Sequence, residues 1–569
     1  MAKYPAPNAM STLLPTTAMA ERRYMRILLG VLMFATVIWW LVVLGSANNA
    51  ECLRLFHSRG KAYITAFRVR GHDSSDDNPH SEKTDLLNQD EYSKAVSKSE
   101  VPESSSIDLP SSPMQKHQFK CLGWRSTGDC SPEGHRQPND DLNCSNLVPE
   151  RASGYCEVED INSGETYRVM KRTCAKTKRG AIFRCSDAPG FANFRAETQI
   201  FLEEAQSQIL AYQMSETTLI SRNEIWFSPE EMMENPGLLK PLRQLAQNSS
   251  APHITIRQIR TNGKRIRFNA KVYAIYNSDF EQVLFLDADN TPVKDPSFLF
   301  ETLEFEKTGA IFWPDYWHPK NTMFYIDSDS LVWQLLDVPF VDMFEQESGQ
   351  LVIDRRRHAA TLALVSFYAF HEPNYFNLQK LAWGDKDLFR FAWLKLEKPF
   401  YMIQSPPAVA GKTIDGSFCG LTMVQHDNNG EILFLHRNQR KLMGELHTEI
   451  VIPTEKNLSV NEFESPPADG FPDPEIWTHL LTFRNSSARS DFVIVGQKGP
   501  RNFPKWQRCY GPQSSDSNFY AQPIAGLSFG GLELQLRKFA LEAIGIQQVR
   551  HFKKNKEIHP SCQINCEYD

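Results

Sequence analysis

The chain has 569 residues, 41% of them hydrophobic, enough for one large domain or two ordinary ones around a buried core, which excludes a small cross-linked scaffold. Its 62 basic and 68 acidic residues leave a formal net charge of -6 with no global basic surface, so nucleic acid is not expected as a partner.

Residues 27–44 carry no charge and include Trp39 and Trp40, a run long enough to cross a bilayer as a helix. This predicts a transmembrane signal anchor over 27–45 behind a cytoplasmic tail, 1–26. A cleavable signal peptide is the alternative, since Gly45, Ser46 and Ala47 are small, but the apolar run exceeds the usual length of such a segment. Basic residues flank both sides, Arg22, Arg23 and Arg26 before and Arg54, Arg59 and Lys61 after, so charge does not orient the span. The body orients it. Glycosylation acceptor triplets begin at Asn143, Asn248, Asn457 and Asn485. Six cysteines (Cys121, Cys130, Cys144, Cys156, Cys174, Cys185) crowd one stretch without the Cys-x-x-Cys spacing of a zinc site, and Cys562 and Cys566 lie near the end. Disulfides in an oxidising lumen account for them, and the total of eleven leaves at least one thiol unpaired within the chain. A single-pass type II protein with a lumenal body follows.

Residues 46–118 read as a disordered stem, because 71–118 are rich in Ser, Asp, Glu, Lys and Pro and poor in aromatics. A cysteine-rich, disulfide-braced lead-in follows over 119–178. From 179 the pattern alternates: a strand over 181–185, a helix through 196–204, a strand over 224–227 leading to a helix start at Ser228, a strand over 253–256 and a helix over 271–276. Residues 282–286 form the strongest strand, apolar after Gln282 and so expected to be covered on both faces. Such alternation implies an α/β domain with a largely parallel sheet, over 179–444, with an accessory region over 445–569.

Asp287-Ala288-Asp289 stand at the end of that strand, where open α/β sheets place ligands. Residues two apart in extended backbone point to one side, so both carboxylates face one point and Ala288 turns away. Held together, they need a cation between them, and oxygen ligation suits magnesium or manganese, which bridges to a diphosphate. A plain surface turn is the competing reading, but it does not require four large apolar residues before it.

Several further stretches carry a resemblance: FNAKVYAI (268–275), VLFLDADNTPVKDPSFLF (283–300), GAIFWPDYW (309–317), ESGQLVID (347–354), WGDKD (383–387) and MVQHDNNGEILFLHRN (423–438). In this order they resemble the retaining α-mannosyltransferases of the fungal Golgi, typified by α-1,3-mannosyltransferases. The resemblance implies a GT-A fold, a GDP-mannose donor, a glycan acceptor on a glycoprotein, and a manganese or magnesium ion. It implies Asp287, Asp289 and His436 as metal ligands, with His426 as a competing histidine. Lys271 would contact the donor diphosphate, and Glu347, Gly349 and Gln350 would lie beside the donor. Trp313, Asp315 and Trp317 would wall the sugar, against a plain packing role. Asp385 and Asp387 would serve the acceptor hydroxyl or the reacting centre, against a solvated charge run. Two rivals remain: a UDP-sugar transferase of the glycogenin type, and a non-catalytic lumenal glycan-binding scaffold.

Overall fold

The apolar run from Val283 to Leu286 places the core. In the computed structural model Val283 and Phe285 pack with Phe312, Leu351 and Trp393 on one face, while Leu284 and Leu286 pack with Ile311, Trp313 and Phe434 on the other. The strand is thus covered on both sides, as its composition requires. The structure describes residues 64–67, 116–214, 223–227, 254–260, 267–445, 450–453, 459–462, 467, 469–484, 489–504, 506–513 and 518–558. All fall in the unit spanning 62–569. The expected tail 1–26, anchor 27–45 and helix start at Ser228 lie outside them. Among the described residues no helix is long and apolar enough to cross a membrane.

In chain order, β1 (Ile64–Phe67) precedes β2 (Phe119–Thr127), β3 (Ser153–Asp160), β4 (Thr166–Arg172), helix α1 (Ala188–Met214), β5 (Asn223–Phe227) and β6 (Ile254–Gln258). Helix α2 (Ala270–Asn277) leads into β7 (Gln282–Asp287), β8 (Asn290–Pro292), β9 (Ala310–Pro314) and β10 (Gln346–Asp354). Helices α3 (Ala359–Phe370) and α4 (Leu388–Lys395) precede β11 (Tyr401–Met402). The remainder is mostly strand: β12 (Ala408–Ile414), β13 (Ser417–His426), β14 (Ile432–His436), β15 (Ile450–Pro453), β16 (Ser459–Glu462), β17 (His479–Phe483), β18 (Ile494–Lys498), β19 (Arg508–Pro512) and β20 (Phe519–Pro523), closed by helix α5 (Leu532–Ile558).

The fold is mixed α/β. Its 7-stranded sheet has the order β11-β9-β10-β7-β1-β5-β6. The expected parallel character is only partly present. β5–β6 and β9–β11 pair parallel, but β1 runs antiparallel to β5 and β7, and β10 antiparallel to β7 and β9. Five strands therefore share one direction, and two reversed strands are interposed between them. Of the five, β5, β6 and β7 coincide with strands expected from the sequence, over 224–227, 253–256 and 282–286; nothing in the alternation predicts β1, which comes from the segment expected to be stem. Helices α1 and α3 pack beside this sheet through Phe194, Phe367 and Tyr368, and the Asn269 side chain donates to the Ala369 carbonyl (2.6 Å), tying α2 to α3.

An 8-stranded sheet joins β8 and β12–β14 to β17–β20, so the region beyond 445 completes a sheet begun within 179–444. It is knitted by Cys419–Cys509. The cysteine-rich lead-in forms the antiparallel sheet β2-β3-β4, braced by Cys121–Cys144, Cys130–Cys174 and Cys156–Cys185. The last of these overturns the strand expected over 181–185. Cys185, pinned to Cys156, opens a short 3-10 turn before α1, and only Arg184 makes an isolated bridge, to Leu147.

Candidate active site

The chain changes sheets at the acidic motif. Asp287 ends β7, Ala288 is exposed, and Asn290 opens β8, which pairs with β14 so that Asn290 lies opposite His436. The Arg437 amide donates to the Asp289 carbonyl (2.8 Å), fixing the turn against the residue after the histidine. This register, rather than sequence proximity, brings His436 to the aspartates. Its Nε2 is 3.2 Å from Asp289 Oδ1 and 3.9 Å from Asp287 Oδ2. One ligand atom from each of the three residues lies within 4.8 Å of the others. Two carboxylates and an imidazole suit manganese or magnesium, and Asp287 Oδ1 is buried without a hydrogen-bond partner, so the donor set fits a divalent cation.

Lys271 reaches in from α2. Its ammonium donates to Asp287 Oδ2 (3.1 Å), to the Ser348 carbonyl (2.9 Å) and to Ser348 Oγ (3.0 Å), and stands 3.3 Å from Asp385 Oδ2. Burial works against its charge, but Asp287, Asp385 and Glu347 outweigh it and hold the ammonium above its ordinary pKa. The carboxylates diverge. Burial raises Asp287 despite Lys271 and His436; burial also opposes ionisation of Asp289, yet His436 and Lys441 hold it well below the usual range. Burial pushes Asp385 up to about 6 against the pull of Lys271.

Other expected residues hold these in place from behind. The Glu347 carboxylate accepts from the Gly349 amide (2.7 Å) and lies 3.4 Å from His436 Nδ1, so it orients the imidazole in the manner of a carboxylate behind a metal-binding histidine. Glycine at 349 makes room for this ring: a Cβ there would meet His436 Nδ1 at 2.5 Å. Gln350 is fully buried, and its Oε1 accepts from Asn290 Nδ2 (2.6 Å), which also donates to the Gly349 carbonyl (2.8 Å). That clamp keeps Gln350 from any donor.

Asp387 is likewise interior. It is fully buried, and its Oδ1 accepts from the Gln346 amide (2.8 Å) and from Arg390 Nε (2.9 Å), with Arg390 Nη2 in ion-pair contact at 2.7 Å, while Asp385 alone of the pair approaches Lys271. Trp313 is also fully buried, donating from Nε1 to the His426 carbonyl (2.8 Å) and meeting Phe434 edge-on, so it presents no face to a sugar. Asp315 is 3.0 Å from the Lys386 ammonium, which also binds Glu345 Oε2 (2.5 Å); burial raises Asp315 to about 7 despite Lys386. Trp317 is buried, its carbonyl accepting from the Glu345 amide (2.8 Å). His426 is buried, driven down to about 4 by burial, and is not part of the cation group.

Three contributors were not singled out from sequence. Ser348 was hidden inside the motif at 347–354. Asn290 follows the acidic pair inside the stretch 283–300 and carries no separate signal. Lys441, in close contact with Asp289, follows the last motif and carries no local signal.

Residues 242–427 match a family model described as "Mannosyltransferase putative". The chain is similar to the alpha-1,2-mannosyltransferase MNN2 of Saccharomyces cerevisiae, 27% identical over 233 residues, covering 34% of this chain and 39% of that protein. It is similar to MNN5 of the same yeast, also named an alpha-1,2-mannosyltransferase, at 28% over 232 residues, 32% of this chain and 39% of the relative. A Candida albicans alpha-1,2-mannosyltransferase, MNN23, is 28% identical over 214 residues, 31% of this chain and 35% of the relative. The matched region thus spans about two-fifths or less of the length of these curated relatives. The resemblance to fungal mannosyltransferases read from the motifs is borne out, and the linkage in these relatives' names is α-1,2.

Proposed function

We propose that this chain is a retaining GT-A mannosyltransferase that moves mannose from GDP-mannose to a mannosyl hydroxyl of a glycan on a glycoprotein. The observation that carries this reading is the group of Asp287, Asp289 and His436 at the end of β7, with both aspartates inside the segment that matches the mannosyltransferase family model. The relatives' names favour an α-1,2 product over the α-1,3 product expected from the motifs. In the reaction the bond from mannose C1 to the diphosphate oxygen breaks, and GDP leaves with the electron pair. A bond from C1 to the acceptor oxygen forms on the same face of the sugar, and the hydroxyl proton passes to the departing diphosphate oxygen.

Asp287, Asp289 and His436 would hold a divalent cation, manganese or magnesium, whose charge, when bound, offsets that of the departing diphosphate. Glu347 keeps the His436 ring turned toward the aspartates. Lys271, held by Ser348 and Asp385, brings a fixed positive charge to the same point. Asp385 accepts a hydrogen bond from the acceptor hydroxyl. A Golgi lumenal location behind an anchor at 27–45 is supported by the four disulfides among the described residues and by the uncharged apolar run.

The test is incubation of the full chain with manganese, mannosides, and GDP-mannose, UDP-glucose or UDP-galactose in parallel, with products read by mass spectrometry and linkage by NMR. Mannosyl addition from GDP-mannose alone, in α-1,2 linkage, is expected. Transfer from a UDP-sugar and none from GDP-mannose would replace this reading with the glycogenin-like one. Glycans unaltered by Asp289→Ala in cells, but altered by deletion of the whole protein, would favour a scaffold.

A further inference from the structure

We propose that the cysteine-braced module β2-β3-β4 forms part of the acceptor site, with an oligomannoside lying across Trp383 and its far sugars entering a cavity between that module and the catalytic segment. The proposal rests on the mannosyl-transfer reading and adds the residues that select the acceptor.

Trp383 is two residues before Asp385, in the same motif, and nothing in the donor-side machinery uses it. It is 56% exposed, a large aromatic surface left to solvent beside a buried carboxylate. Its ring is braced rather than loose. Phe268 lies 6.2 Å away and Phe324 meets it edge-on at 5.8 Å. Gly384 adopts φ +61, and a Cβ there would stand 2.7 Å from Phe268, so the step between platform and Asp385 needs glycine. An exposed, braced aromatic face suits the apolar side of a hexose.

Phe324 continues the surface inward. Phe324 is itself buried, Lys178 Nζ lies over its ring at 4.7 Å from the centroid, and both residues line a cavity of about 160 Å³. One wall comes from the end of β4 and the loop after it, including Arg172 and Lys178; the facing wall includes Asp327 and Ser330. Arg172 is only 8% exposed, yet its Nε has no hydrogen-bond partner, and Nη2 reaches only Thr177 Oγ1 at 3.5 Å. Among the described residues no carboxylate stands within ion-pair distance of it. The guanidinium lies over the Phe183 ring at 5.3 Å from its centroid, so the group is held in place while its Nε is left to donate to an acceptor entering the cavity. Three carboxylates and four cations share the cavity lining, so hydrogen-bond acceptors and donors both face the space, as a neutral polyhydroxyl chain requires. The module lies outside the stretch matching the mannosyltransferase family, so this wall is supplied by residues that the family model does not include.

The experiment measures glycan binding by the full chain without donor, using methyl α-mannoside and mannotetraose in saturation-transfer NMR and calorimetry. The variants are Trp383→Ala, Arg172→Met and Lys178→Ala, each checked by thermal melting. Wild type is expected to bind mannotetraose more tightly than the monosaccharide. Trp383→Ala should weaken both by about two- to tenfold. Arg172→Met and Lys178→Ala should remove the advantage of the longer glycan and leave the monosaccharide unchanged. Hydrolysis of GDP-mannose without acceptor should stay at the wild-type rate in all three. Should Arg172→Met fail to fold, Lys178→Ala carries the test alone. Equal wild-type affinity for the two glycans, unaltered mannotetraose binding in the folded variants, or binding of inorganic phosphate in place of mannotetraose would overturn the proposal. Failure of wild type to cleave GDP-mannose would instead count against the transferase reading, because glycan binding is read separately.

Discussion

Gly349→Ala tests the geometry of the candidate metal group with the smallest possible change. Gly349 lies within β10, in backbone that alanine can adopt, so the added methyl acts through space alone. It would sit 2.5 Å from His436 Nδ1 and 2.7 Å from Cε1, about 0.9 Å short of the 3.4 Å where ordinary contact begins. The ring must retreat by nearly that amount, and it moves away from Glu347, whose Oε1 would itself be 3.0 Å from the methyl. Disturbing a histidine and the carboxylate behind it costs roughly 10- to 100-fold in metal affinity. A displacement near 1 Å at reacting groups costs on the order of 100-fold in rate. Overpacking itself costs about 1–3 kcal/mol, which leaves a folded protein to measure. Isothermal titration of manganese into Gly349→Ala and wild type reads the first effect, and kcat/KM with GDP-mannose the second. Wild-type manganese affinity in a folded Gly349→Ala protein would refute the claim that His436 ligates.

Three other outcomes follow from the same structure. Asp387→Ala leaves Arg390 buried beside an empty carboxylate position and should destabilise by roughly 3–5 kcal/mol in denaturant melts, whereas Asp385→Asn should melt near wild type and lower kcat; the reverse pattern would exchange their roles. His371 and Glu197 form a 2.7 Å pair: burial lowers His371 but Glu197 more than restores it, and burial raises Glu197 but His371 and Lys116 pull it down. The raised histidine stabilises fully below its unfolded pKa near 6.5 and is lost as pH rises, while the depressed carboxylate stabilises above about 4.3 and is lost as pH falls. His371→Gln should therefore cost about 1.5–3 kcal/mol near pH 5.5 and less at pH 8.5, and a cost independent of pH would contradict the pairing. Replacing Cys156 and Cys185 with serine should lower stability by roughly 3 kcal/mol, read by thermal melting against the other disulfides; no loss would mean that the bond does not brace the module.

How much of this was legible depends on whether the cause was local. β7 and the aspartates that end it were readable because an apolar run with period-free composition has one interpretation, a strand buried on both faces. His436 was readable only through the resemblance, since its approach to Asp289 is set by the pairing of β8 with β14 across more than a hundred residues. The same distance hid the function of Glu347 and Gly349, which looked like donor contacts and instead position the histidine. Trp313, Gln350 and Asp387 stand in the motifs that suggest chemistry, but all three are fully buried and bonded within the protein through Trp313 Nε1, Gln350 Oε1 and Asp387 Oδ1, which no spacing reveals. Sheet direction failed for a similar reason: β1 and β10 enter the sheet reversed, and alternating strand and helix patterns carry no information about an inserted strand. The cysteine cluster announced disulfides without announcing partners, and Cys185 proved to tie the module to α1.

The most direct test is electron paramagnetic resonance of manganese titrated into the full chain, with and without GDP. The account predicts a protein-bound manganese signal that changes on adding GDP and is lost in Asp287→Asn and Asp289→Asn, both still folded. Manganese and GDP bound as tightly by the doubly substituted chain would contradict it.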